Sequence, residues 1–65
     1  MAGVARYVTP SGHSVSAVEI EERANLPVFD VEIVDSYGEV VEHFEITGSY
    51  ALQQKALDRR WRLAE

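Results

Sequence analysis

The chain contains no cysteine, which removes disulfide staples and thiolate zinc sites from consideration. Its 65 residues suffice for one domain, and a domain this small hides only about 60% of the surface its unfolded chain exposes. Tight packing or self-association is then what remains to supplement the core. Long apolar runs are missing as well. The opening Met-Ala-Gly-Val-Ala-Arg-Tyr-Val has no signal-peptide core, and no stretch approaches the roughly 18 apolar residues that a membrane span needs. These absences lead us to expect a soluble, cytoplasmic protein, and the start methionine without a low-complexity tail reads as a complete small gene product.

Basic residues are scarce: six Lys and Arg stand against eleven Asp and Glu, for a net charge of −5. Residues 1–48 hold nine of the acids against Arg6 and Arg23, whereas residues 49–65 carry Lys55, Arg59, Arg60 and Arg62 against Asp58 and Glu65. Both segments read first as solvated faces that keep a small protein in solution. An acidic surface also repels nucleic acid or receives a cationic partner.

Only four glycines and two prolines are present, and they punctuate a repeat. Residues Tyr7 to Ile20 slide onto Ile33 to Ile46 at an offset of 26 without a gap, placing Val8 over Val34, Gly12 over Gly38, Val15 over Val41 and Ile20 over Ile46. Each copy reads as a β-hairpin with glycine in its turn. In the second copy, Phe29, Val31 and Ile33 alternate with Asp30 and Glu32, the period of a half-buried strand. A loop Ser36-Tyr37-Gly38-Glu39 closed by Asp35 and Val40 sets Phe29 opposite Ile46, Val31 opposite Phe44, Glu32 opposite His43 and Val34 opposite Val41. The shorter register opposes Glu32 to Glu42 and is disfavoured by charge. Carried to the first hairpin, this register pairs Thr9 with Ser14, Val8 with Val15 and Ala5 with Val18, and buries Ala5, Tyr7, Val18 and Ile20. Residues 16–24 admit a competing short helix opened by a Ser16 to Glu19 capping box, but the repeat favours strand.

Ser49 follows a strand-breaking Thr47-Gly48 and is a candidate N-cap. At about 100° per residue, a helix from there places Tyr50, Leu57, Trp61 and Ala64 on one stripe and Leu52, Ala56 and Leu63 on another about 140° away. The first stripe is expected to face the sheet, with Trp61 against Phe44 or Val31, leaving the second for another chain. The predicted fold is α+β: a four-stranded antiparallel sheet of two similar β-hairpins with one C-terminal α-helix packed on one face. It forms a single domain over 1–65, with hairpin 1 about 4–20, a connection 21–27, hairpin 2 about 28–47 and the helix about 50–63.

Chemistry-bearing motifs are sparse. His13 and His43 lack metal or catalytic spacing, and the carboxylates form no EF-hand-like loop. No catalytic residue, metal or cofactor is therefore assigned. The leading expectation is a non-enzymatic protein–protein interaction module, a homodimer acting as an accessory or regulatory protein, with candidate interface residues Leu52, Ala56, Leu63, Tyr37, Val34 and Val41. A four-stranded sheet followed by a helix is also a layout some single-strand-binding domains use, so nucleic-acid binding through Lys55, Arg59 and Arg62 is the alternative. Acidic residues on the outer sheet face oppose a phosphate backbone. A third reading is an acidic inhibitor that mimics phosphate.

Overall fold

A computed structural model describes residues 3–64; Met1, Ala2 and Glu65 lie outside the described residues. The fold is α+β, with strands β1 (Val4–Val8), β2 (Ser14–Arg23), β3 (Leu26–Val34) and β4 (Val40–Thr47), one helix α1 (Ser49–Asp58), and a short fifth strand β5 (Arg62–Leu63). The sheet is antiparallel in the order β4-β3-β2-β1-β5. It therefore has five strands among the described residues rather than the expected four.

Three rows of inward residues carry the packing. Leu63, Tyr7, Val15, Ile33 and Glu42 lie side by side across the sheet; Ala5, Ala17, Val31 and Phe44 form the next row; Glu19, Phe29 and Ile46 form the third. Val15, Ala17, Val31 and Ile33 are almost completely buried because they occupy the central strands beneath α1.

Register in the second hairpin agrees with expectation at Phe29–Ile46, Val31–Phe44 and Glu32–His43, but Val34 pairs with Val40 instead of Val41. The loop closes one residue earlier than expected: Asp35 N–H donates to Glu39 O and Gly38 N–H to Asp35 O, with Gly38 at φ 85°. A three-residue hairpin loop ends on such a left-handed residue, a conformation glycine adopts at little cost. A bulge beside Val34 then absorbs the extra residue and restores the charge-compatible pairing.

The first turn makes the corresponding bonds, Thr9 N–H to His13 O and Gly12 N–H to Thr9 O, with Gly12 also at φ 85°. No bulge follows it. Tyr7 therefore pairs with Val15 and Ala5 with Ala17, not Val8 with Val15 and Ala5 with Val18. This single-residue slip exchanges the faces of β2: Val15 and Ala17 are buried, Val18 is half-buried and Ile20 is exposed.

Residues 21–27 are not a loose connection. They continue the antiparallel pairing of β2 and β3 around a two-residue turn, Ala24-Asn25, with φ 53° and 66°. Two successive positive φ values are those of a type I′ hairpin turn, whose backbone twist matches that of the strands. The alternative helix over 16–24 is excluded by the strand across Ser14–Arg23. An irregularity between Glu19 and Glu21 separates the central sheet from this ribbon.

Gly48, not Ser49, is the helix N-cap; it has φ 95° and makes no side-chain cap bond. The helix also ends sooner than its apolar periodicity suggests, at Asp58 instead of about residue 63. Arg60 takes φ 59°, and the amides of Arg60 and Trp61 donate to Leu57 O and Ala56 O at 3.2 and 2.9 Å. These are the two bonds of a Schellman motif, accompanied by the contact it favours between Trp61 and Ala56, both in the core. The reversal frees residues 62–63 to pair with β1. Arginine pays a steric cost at this left-handed site. Arg60→Gly is accordingly expected to stabilise the domain by about 1 kcal/mol, read as a higher denaturant midpoint at unchanged m-value.

Candidate interaction surface

Early termination of α1 also reverses the predicted helix face. Leu52 and Ala56 point into the core, whereas Tyr50 and Leu57 are 73% and 71% exposed. Trp61 is buried as expected but packs on Tyr7, with ring centroids 5.5 Å apart and planes inclined by 41°. Its place on the Tyr50–Leu57 stripe assumed a continuous helix, and the Schellman turn removes it from that stripe.

On the β4 side of α1, Lys55 Nζ lies 5.6 Å from the centroid of Phe44. Arg59 stacks 5.7 Å from the Trp61 ring and pairs with Glu42. Their cationic heads are thus engaged at the seam between helix and sheet. Arg62 sits at the opposite edge, paired in register with Val8. The three residues considered for nucleic-acid contact therefore do not share one surface. His43 lies opposite Glu32 in register, but its Nε2 is 2.5 Å from Asp30 Oδ1 across the outer face. Between the first turn and Arg59, a polar recess of about 280 Å³ is lined by Thr9, Ser11, His13, Glu42 and Arg59 among others. Thr9 Oγ1 in it accepts the His13 amide at 3.0 Å, so this hydroxyl also supports the turn. Among the described residues no group of three or more His, Cys, Asp or Glu is arranged to hold a metal ion. No helix among them is long and apolar enough to cross a membrane.

The β1 side of α1 is different. A groove of about 410 Å³ runs between helix and sheet, lined by Tyr7, Gln53, Ala56, Leu57, Trp61 and Leu63. A second depression of about 290 Å³ continues it past Ala5, Phe29, Leu52 and Gln53. Leu63, brought here by β5, is 75% exposed at the groove wall. No family model matches the chain, and neither a curated protein nor a solved structure is similar to it. The site must be read from its own chemistry.

The interface candidates thus separate into three groups. Leu52 and Ala56 are core residues and Leu63 lines the groove. Val34 is half-buried and Val41 exposed near the β4 bulge, and Tyr37 is 88% exposed at the tip of a turn. Sequence periodicity missed Tyr50 and Leu57 as surface residues. Their i to i+7 spacing was visible, but it does not reveal which apolar stripe the sheet takes.

Proposed function

We propose that this is a non-enzymatic protein–protein interaction module, a homodimer that acts in the cytoplasm as a small accessory or regulatory protein. The observation that carries this reading is the open apolar groove beside α1, with large hydrophobic side chains at its rim. Concentrated exposed apolar surface marks interaction sites on soluble domains. The small core supplies a second reason, because association adds buried area that a chain of 65 residues lacks. The nucleic-acid alternative is weakened by the dispersal of Lys55, Arg59 and Arg62, and a phosphate mimic by the valines interspersed among the outer acids.

Sedimentation equilibrium is expected to give a mass about twice the 7.3 kDa of one chain at micromolar concentrations. The melting temperature is expected to rise with protein concentration, as mass action requires when only the folded form associates. A monomer at every concentration up to the millimolar range contradicts this reading.

A further inference from the structure

We propose that the dimer closes through a two-fold contact between the α1 helices, with Leu57 of each copy entering the groove of the other between its Tyr7, Trp61 and Leu63. This inference rests on the homodimeric reading and names the surface. The occupant follows from charge. The groove lining and the adjoining stripe of Tyr50, Gln53, Gln54 and Leu57 contain no charged residue in a chain of net charge −5. A cationic ligand or an anionic backbone finds no complementary charge there, whereas an identical copy meets no repulsion. The outer sheet face presents Asp30, Glu32 and Glu45 near its β4 side, so close self-association there opposes like charges unless it is offset.

Geometry makes the helical stripe self-complementary. Tyr50 and Leu57 stand two turns apart on one side of α1 with Gln53 and Gln54 between them. An antiparallel partner centred there sets Tyr50 against Leu57 and the glutamines against each other, the reciprocal pairing an isologous contact requires. The strand edges compete poorly. Most of the β1 edge is taken by β5 and the Ala64 amide, while β4 is bulged and carries Glu42 and Glu45, features that discourage edge pairing. A standard interface needs roughly 800 Å² from each partner, about a sixth of the 4662 Å² exposed by one chain.

The test combines sedimentation with cross-linking. Leu57→Lys alters an exposed helical position and is expected to leave the fold intact, checked by circular dichroism, while raising the dimer dissociation constant by roughly 30-fold or more. Val41→Lys on β4 is expected to leave that constant unchanged. Since the chain has no cysteine, Gln54→Cys introduces a lone thiol near the proposed axis, and mild oxidation is expected to give a covalent dimer that Tyr37→Cys does not give. A wild-type dimer that survives Leu57→Lys, or is broken by Val41→Lys, overturns this surface while preserving the homodimeric reading. A wild-type monomer throughout overturns both.

Discussion

Trp61→Ala is expected to remove most of the domain's stability. Trp61 is 8% exposed, lies against the Tyr7 ring and carries Arg59 on its other surroundings. Truncating a buried tryptophan costs about 3–5 kcal/mol, and a chain of this size holds roughly 3–10 kcal/mol in total. The loss has two sources. The indole caps the row containing Val15 and Ile33, and its contact with Ala56 supports the helix-ending turn. Thermal denaturation followed by far-ultraviolet circular dichroism is expected to show a population partly unfolded at 37 °C. Trp61→Phe, which keeps an aromatic ring over Tyr7, is expected to recover part of the loss. A melting temperature unchanged by Trp61→Ala contradicts the assigned core.

The second large effect is expected at Ile33, 2% exposed in the central strand β3 and among the largest fully buried side chains. Ile33→Ala leaves a cavity between Val15 and the helix-side residues of the core and is expected to cost about 2–5 kcal/mol, against about 0.5–1.5 kcal/mol for Ile33→Val. For a domain in this size range each kcal/mol lowers the melting temperature by roughly 4–8 °C. Val34→Ala, one residue along on the opposite face and half-buried, is expected to cost less than Ile33→Ala. Chemical denaturation of the three variants gives the ordering directly. Equal losses at Ile33 and Val34 contradict a sheet covered by the helix on one face only.

The alternation around Phe29, Val31 and Ile33 was sufficient to identify β3 and its inward face, because period two has one solution when charged residues occupy the other parity. The paired glycines located both hairpin turns. They did not reveal that one hairpin acquires a bulge and the other does not, a difference that exchanged the faces of β2. The ribbon turn at Ala24-Asn25 also escaped notice, since alanine is an uncommon occupant of a left-handed site and its conformation is imposed by the strands on either side.

The same distinction governs the candidate surface. The sequence by itself determined an antiparallel sheet followed by a helix bearing two apolar stripes, through side-chain periodicity and glycine punctuation, both of which act over a few residues. Tertiary structure decided which stripe is buried. Arg60 turns back at the end of α1, Trp61 folds over Tyr7 and Leu63 joins the far edge of the sheet. Those contacts join the C-terminal residues to β1, more than fifty positions earlier, and a long-range choice of this kind depends on the packing and geometry of the whole molecule. By burying Leu52 and Ala56 instead of Tyr50 and Leu57, it left the latter pair beside an open groove.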